Sequence, residues 1–296
     1  MGLRAYSWRT FFHHQRKFLF RVTLAYWKTY QENLLNEVCK LKESAWSGDG
    51  GFDSMGHSAK YGTYTMFCNA LSKIVHFEVV QSNETGGSNQ MELEGAKRCF
   101  SYLQNNAQVK IPIFISDRHS GISKWIREKQ PNTTHFYDIW HVAKAVTKRV
   151  LKASKKKGCE ILKDWTKAIK NHLYWCVTST KQGFVELIKA KWLSLIQHIS
   201  DRHHDHPNEL FPECNHGELE ARDWILPGTD AYDKLSAIVN NTCLVNYIKK
   251  MSPDTQTSAL ESYHAVLNFW HPKMLCFSWM GTKCRYATYN IVLVVP

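Results

Sequence analysis

The chain of 296 residues contains no apolar run long enough to cross a bilayer. A membrane-spanning helix needs about 18 or more consecutive apolar residues. The early apolar stretch from Phe18 to Trp27 is interrupted by Arg21, and the apolar end at residues 291–296 is too short. The basic and apolar regions of a secretory leader are also missing. We therefore expect an intracellular protein without a membrane partner.

The sequence also lacks the cysteine patterns of a disulfide framework. Its nine cysteines are an odd number and include no C-x-x-C pair, so we expect reduced thiols. There is no internal repeat and no long low-complexity tract, and no recognisable DNA-binding finger or helix-turn-helix precedes residue 45. The abrupt apolar end favours a fragment of a longer protein.

Positive charge is in excess. Lys and Arg number 38 against 26 Asp and Glu, which gives a net charge of +12. This favours a polyanionic partner, although it also serves general solubility. The basic and aromatic residues 1–16 fit either a DNA-contacting arm or a partly ordered terminus. Lys148-Arg149 and Lys155-Lys156-Lys157 fit either a nuclear address or a solvated helix face.

Residue patterns predict an α/β fold with a mixed sheet flanked by helices. Strands are expected where β-branched or aromatic residues cluster or apolar residues alternate, at 43–46 (weakly), 61–67, 73–80, 109–115 and 133–139. Helices are expected at 18–41, 91–103, 120–129 and 141–151. Pro112 is unusual inside a strand, because proline prefers strand starts and sheet edges.

Helical periodicity replaces the strand patterns between Lys152 and Lys250. We interpret this region as an all-helical insertion that contains a polar, His-rich loop at 200–217, and a final helix with Glu261 follows it. Four parts result: an arm and amphipathic helix at 1–44, the first part of the core at 45–151, the insertion at 152–252 and the completion of the core at 253–296.

Two aspartates stand in contexts that suit a metal site. Asp49 lies in Ser47-Gly48-Asp49-Gly50-Gly51, where missing side chains would let metal and phosphate approach. A tight turn is the alternative, and Asp53 is a rival for the same role. Asp117 ends an apolar strand, which is where α/β proteins bind ligands, unless it only caps the next helix.

Glu261 also has two interpretations. Ser258 and Glu261 have the spacing of a capping box. Glu261, His264 and Asn268 also form a polar stripe beside the apolar face of the helix, as a metal site on a helix requires. The two roles are compatible. Three carboxylates together can hold two divalent cations, which clamp the attacking and leaving oxygens of a phosphodiester.

Four blocks follow one another between residues 45 and 285. They are Asp49 with the later Gly56-His57-Ser58-Ala59-Lys60-Tyr61, then Ile113-Phe114-Ile115-Ser116-Asp117-Arg118-His119, then Asp138-Ile139-Trp140-His141, and finally Thr257-Ser258-Ala259-Leu260-Glu261-Ser262-Tyr263-His264. In this order they resemble eukaryotic DDE transposases with a ribonuclease-H-like fold, near the Mutator-like group, and some bacterial insertion-sequence transposases.

The resemblance implies a ribonuclease-H-like core with a large helical insertion before the last catalytic helix, and the separation of 144 positions from Asp117 to Glu261 (261 − 117) agrees with it. It also implies that Asp49, Asp117 and Glu261 are catalytic and bind Mg²⁺ or Mn²⁺, hard cations that favour oxygen ligands. Asp138 and His141 would support the site, and Asp53 and His264 are further supporting candidates.

DNA, such as transposon ends, is the partner that the resemblance implies, and homo-oligomers and a nuclear location are expected with it. The first candidate function is therefore metal-dependent DNA strand cleavage and transfer. The second is a domesticated, inactive transposase that binds nucleic acid without cutting it. A ribonuclease-H-like nuclease that acts on RNA–DNA hybrids is a third, weaker alternative.

A second metal site is suggested by a cluster of soft ligands. His203, His206, Cys214 and His216 lie within 14 residues of one another, and His198 is a further candidate. Zinc accepts four Cys and His ligands in structural sites, although this spacing matches no standard finger. A solvated His-rich loop is the alternative.

Overall fold

The structure is a computed structural model that describes residues 7–54, 58–181, 183–252 and 258–292. The chain divides into two compact units, one formed by residues 1–135 with 257–296 and the other by residues 136–256. None of the helices within the described ranges combines the length and the apolar character that a bilayer span needs.

Five strands and twelve helices make up the described chain. The strands are β1 (Ala45–Phe52), β2 (Tyr61–Cys68), β3 (Lys73–Gln81), β4 (Ile113–Ser116) and β5 (Thr134–Tyr137). The helices are α1 (Trp8–His14), α2 (Phe20–Cys39), α3 (Ser88–Ser101), α4 (Ser120–Lys129), α5 (Ile139–Ala153), α6 (Leu162–Thr178), α7 (Val185–Leu193), α8 (Leu195–His198), α9 (Asp230–Val239), α10 (Thr242–Ile248), α11 (Ser258–Trp270) and α12 (Trp279–Val292).

The sheet is mixed, as the sequence predicts. Its strand order is β3-β2-β1-β4-β5. The β1–β2 and β2–β3 pairs are antiparallel, whereas β1 and β4 are parallel. Helix α3 packs against β2 and β3, helices α2 and α12 pack against β3, and α11 packs against β1. The prediction of an α/β fold with a mixed sheet flanked by helices is confirmed.

The strand predicted at 109–115 begins only at Ile113. Val109 and Ile111 are buried, so their apolar alternation is real, but they do not pair in the sheet. Pro112 immediately precedes the strand and has no backbone N–H to donate, while its carbonyl accepts a hydrogen bond from the backbone N–H of Thr134 at 2.8 Å. The shorter strand is therefore a consequence of the proline.

The N-terminal segment is helical from Trp8 onward. Helix α1 continues through a π-helical turn, Gln15–Leu19, into α2. Trp27, Leu34 and Val38 of α2 are buried, in agreement with the predicted amphipathic face. Trp8, Phe11 and other aromatic side chains near the start of the helix are exposed.

The second unit has a core of its own, in which helices pack around Val142, Trp165, Ile169, Trp192 and Leu235. Lys191 is buried, and its ammonium donates to the carbonyl of Ser179 and to the hydroxyls of Ser179 and Thr180. The connection between α8 and α9, residues 199–229, contains neither helix nor strand. Long irregular connections of this kind are uncommon in compact domains.

Glycine is required at Gly48 because two rings pack directly on the backbone of β1. A Cβ at this position would lie 2.6 Å from the Phe114 ring and 2.6 Å from the Tyr64 hydroxyl oxygen. Both rings are almost fully buried, so neither has room to withdraw.

We expect Gly48→Ala to lower the free energy of unfolding by about 1–3 kcal/mol, because the added methyl group overpacks a filled core. Urea unfolding followed by tryptophan fluorescence measures this loss. Lys124→Ala is the control, since this side chain is exposed on α4, and its effect should stay within about 0.5 kcal/mol. Equal stabilities of the two variants would contradict the close approach at Gly48.

Candidate active site

The register of two neighbouring strands relates the positions of Asp49 and Asp117. Asp49 lies inside β1, opposite Thr65 of β2, so the alternative of a tight turn is wrong. The parallel pairing of β1 with β4 runs from Ala45 with Ile113 to Ser47 with Ile115, and the same offset of 68 residues (113 − 45), continued two residues further, relates Asp49 to Asp117. Residues at one level of neighbouring strands lie about 4.8 Å apart and share a face of the sheet. The register therefore predicts neighbouring carboxylates.

Asp117 directly follows β4, whose last residue is Ser116. It is not the cap of the next helix. The residue that caps α4 is His119, whose Nδ1 accepts the backbone N–H of Ile122 at 3.2 Å. Oδ1 of Asp117 accepts the backbone N–H of His119 at 3.0 Å, which orients the carboxylate at the start of this turn.

His264 on α11 contacts the same face of β1. Its Nε2 lies 3.5 Å from Oδ2 of Asp49 and 3.1 Å from the Thr65 hydroxyl. Because that hydroxyl donates its hydrogen to the Asp49 carbonyl at 3.2 Å, the histidine must be the donor, so we assign the proton to Nε2. Burial, with a smaller effect of Lys273, lowers the pKa of His264 to about 4. The imidazole is therefore neutral at pH 7, and its contact with Asp49 is not an ion pair there.

Glu261 belongs to the same helix as His264. Position 261 lies on α11, three residues before position 264, and positions three apart share a face of a helix. The side chains of Ser258 and Glu261 lie outside the described part of the structure, so the capping box stays a prediction. The apolar side chains at helical spacing on α11 are Leu260, Tyr263, Leu267 and Trp270, of which the first three are buried and Trp270 is exposed.

A fourth acidic residue, Glu92, approaches β1 from the opposite face. A Cβ on Gly50 would lie 2.7 Å from Cγ and 2.9 Å from Cδ of Glu92, so the glycine leaves the space that this side chain fills. Burial, followed by the charges of Asp117 and Asp49, raises the pKa of Glu92 from 4.5 to about 8. Glu92 carries no signal in the sequence, because only the crossing of α3 over β1 brings it near the aspartates.

Asp53 has a different role from that of Asp49. Its Oδ1 accepts the backbone N–H of Lys60 at 3.0 Å, and its Oδ2 accepts that of Tyr61 at 3.2 Å. The carboxylate thus joins the end of β1 to the start of β2. Residues 55–57, which include His57 of the first sequence block, lie outside the described residues.

Asp138 and His141 are described within the second unit. Asp138 is buried and caps α5, since its Oδ2 accepts the backbone N–H of His141 at 3.3 Å. The same oxygen lies 3.1 Å from Nδ1 of His141. Oδ1 of Asp138 is buried without a hydrogen-bond partner in the described part of the chain. The D-x-x-H spacing therefore corresponds to an N-cap aspartate and a histidine three residues later, whose side chain contacts the carboxylate of the cap.

A separate group of His and Cys side chains could hold a metal ion in the second unit. It comprises His198, His203, Cys214 and His216, whose ligand atoms all lie within 4.8 Å of one another. The group contains His198 where the sequence favoured His206. The two ring nitrogens of His206 lie 3.2 Å from the carbonyls of Phe211 and Arg202.

Comparison with protein-family models assigns part of the chain to a known family. A family model described as Mutator-like transposase matches residues 67–214, which is half of the chain. This span includes Asp117, Asp138 and His141, and it ends at Cys214. No curated protein matches the chain.

We expect Glu92→Gln to stabilise the metal-free protein progressively more as the pH rises from 4.5 towards 8. In this window the folded chain keeps the proton of Glu92 while the unfolded chain releases it, so the stability of the unsubstituted protein falls with rising pH. Glutamine removes that fall. Urea unfolding at pH 5 and pH 8 measures the difference.

The control for this experiment is Glu128→Gln, an exposed position on α4. Its nearest cation is Arg127 at 3.7 Å, an exposed pair that contributes little to stability. Parallel pH profiles for Glu92→Gln and the unsubstituted chain would contradict the burial of Glu92 beside the two aspartates.

Proposed function

Because the chain belongs to the Mutator-like transposase family, we propose that it cleaves and transfers DNA strands through divalent cations held by Asp49, Asp117 and Glu261. In this proposal the mixed sheet is the ribonuclease-H-like core of a DDE transposase. The observation that supports the proposal is the register of β1 and β4, whose continuation two residues past the last pair, Ser47 with Ile115, would put Asp49 level with Asp117.

The position of α11 supports Glu261 as the third carboxylate. His264 reaches Asp49, and the helix packs against β1. A helix advances 1.5 Å per residue, so position 261 lies about 4.5 Å along the axis from the residue that contacts Asp49. An extended glutamate is long enough to cover such a distance. We therefore include Glu261, rather than Asp53, in the proposed site.

The donor set fits Mg²⁺ or Mn²⁺, because all of its ligands are carboxylate oxygens. The pKa of Glu92, raised first by burial and then by the negative charges of Asp117 and Asp49, agrees with this fit, because the smaller part of the shift reflects an excess of negative charge that a cation would offset. When bound, the cations supply activation of a water or a 3′-hydroxyl and stabilisation of the leaving oxygen.

The neighbouring protein groups would orient the carboxylates. The Thr65 hydroxyl holds the backbone of Asp49, and the neutral His264 directs its Nε2–H towards the same region. The His119 amide fixes Oδ1 of Asp117. The backbone N–H of Gly50 donates to Oδ1 of Asp49 at 2.9 Å, so backbone amides restrict the rotamers of both aspartates before any ligand arrives, which is the preorganisation that a catalytic site requires.

DNA is the proposed partner, and the net charge of +12 supports it. Exposed aromatic side chains and cations on α1 and the following turn, such as Trp8, Arg9 and Arg16, would add backbone and stacking contacts. A nuclear location and a homo-oligomer are further parts of this proposal. The alternative is a domesticated copy of the family that binds DNA but does not cut it.

Purified protein should nick supercoiled plasmid DNA in the presence of Mg²⁺ or Mn²⁺, and Asp117→Asn should reduce nicking by roughly two orders of magnitude or more, since removing one preorganised charge interaction commonly costs this much. DNA binding by Asp117→Asn, measured by fluorescence anisotropy, should persist. Asp49→Asn and Glu261→Gln should behave in the same way.

Asp164→Asn is the matched control, because Asp164 is exposed in the first turn of α6. It should nick like the unsubstituted chain. Nicking that survives Asp117→Asn would refute the proposed site. If the unsubstituted protein binds DNA but does not nick it with either cation, the domesticated alternative is correct.

A further inference from the structure

The His and Cys group of the second unit has the composition and the compactness of a zinc site. The rings of His198, His203 and His216 lie 4.8–5.1 Å apart, measured between centroids. Sγ of Cys214 lies 3.7 Å from Nδ1 of His198. Four ligand atoms within 4.8 Å of one another need little rearrangement, because tetrahedral zinc bonds separate neighbouring ligand atoms by about 3.3–3.7 Å.

In His203 and His216, the ring nitrogen that faces away from the group has an oxygen partner, as is typical of metal-binding histidines. Nε2 of His203 lies 3.1 Å from Oδ1 of Asp201, and its Nδ1 is buried without a hydrogen-bond partner among the described residues. Nδ1 of His216 donates to the carbonyl of Gly217 at 2.8 Å, which leaves Nε2 with its lone pair. A carboxylate or carbonyl that holds the outer nitrogen fixes the tautomer of a ligating histidine and orients its ring.

The unpartnered Nδ1 of His203 is an independent sign of a ligand. Buried polar atoms are nearly always hydrogen-bonded, and leaving one unpaired is costly. Its outer nitrogen is already used by Asp201, so the inner nitrogen carries the lone pair and has no donor to accept from. A metal ion at the centre of the group would satisfy it.

A metal ion bound by this group would fix the position of the irregular segment 199–229. Residues 199–229 have no helix or strand, yet Phe211 and Ile225 within them are buried. His198 ends α8, while the other three members lie in the irregular segment. A backbone hydrogen bond from Cys214 N to His203 O, 2.8 Å long, already connects the parts of the segment that contain these two ligands. A shared metal would join this segment to the helical core.

We propose that His198, His203, Cys214 and His216 bind one Zn²⁺ as a closed structural site that fixes residues 199–229 on the helical unit. Three nitrogens and one sulfur suit Zn²⁺, whereas Mg²⁺ and Mn²⁺ prefer oxygen. Four protein ligands complete a tetrahedral shell and leave no position for a substrate, so the role is structural rather than catalytic.

This inference stands independently of DNA cleavage, because its readout is metal content and fold. The full chain, purified without a polyhistidine tag, should contain about one zinc per molecule by elemental analysis. Cys214→Ser and His198→Asn should each lose most of this zinc. A chelator should lower the Tm of the unsubstituted chain by several degrees and leave that of Cys214→Ser nearly unchanged.

Two control variants separate the proposed ligand set from other histidines. His204→Asn changes an exposed residue that contacts Glu213, and it should retain the zinc. His206→Asn should also retain it, although the protein should melt at a lower temperature because two contacts to backbone carbonyls are lost. Loss of zinc in His206→Asn with full retention in His198→Asn would overturn the proposed set.

A spectroscopic measurement on the unsubstituted protein avoids the risk that a ligand variant does not fold. X-ray absorption at the zinc edge should show one sulfur at about 2.3 Å and three nitrogens at about 2.0 Å. Absence of stoichiometric zinc, or a shell made of oxygen ligands, would refute the proposal.

Discussion

The parallel pairing of β1 with β4 is the constraint on which the proposed active site depends. Two strands far apart in the sequence pair from Ala45 with Ile113 to Ser47 with Ile115, and the same register continued by two residues would put Asp49 level with Asp117. A slip by one residue would turn one of the two side chains to the other face of the sheet. The register is secured by buried neighbours, because Trp46 and Phe114 are an adjacent pair and both are almost fully buried.

The glycines of β1 follow from the same constraint. Alternate residues of a strand face opposite sides, so Asp49 shares its face with Gly51, whereas Gly48 and Gly50 face α3. Gly48 gives room to Phe114 and Tyr64, and Gly50 gives room to Glu92. The glycine-rich motif around Asp49 indicates a turn when it is considered as sequence alone. In the structure it is a strand, and its glycines let neighbouring side chains pack closely on the backbone.

Much of the sheet could be predicted from the sequence, because alternation and β-branched residues reflect local burial. The β2–β3 hairpin and the helices α2, α4 and α5 lie close to their predicted places. Contacts between elements that are distant in the chain produce no comparable pattern in the sequence. Glu92 is invisible as a site residue until α3 crosses β1, and the capping of α4 by His119 depends on the turn that follows Asp117.

The histidine cluster illustrates the same limit. The sequence indicates several candidate ligands but not which of them converge. His206 and His198 offer the same imidazole ligand, so residue type does not distinguish them. In the structure the ring nitrogens of His206 face the carbonyls of Phe211 and Arg202, while His198 closes the group. Sγ of Cys214 lies 3.7 Å from Nδ1 of His198 and 3.8 Å from Nε2 of His206, so distance to the thiol does not separate the two histidines. The group is defined instead by the convergence of His198 with the ligand atoms of His203 and His216.

The donor atoms keep the two proposed metal sites chemically distinct. Carboxylates at the sheet favour hard, oxygen-loving cations, whereas imidazoles and a thiol in the helical unit favour zinc. Catalysis needs exchangeable cations with open positions, because reacting oxygens must enter the coordination shell. A structural site needs the opposite, a filled shell that does not exchange. One chain can therefore use both kinds of metal, since each requires ligands that the other site lacks.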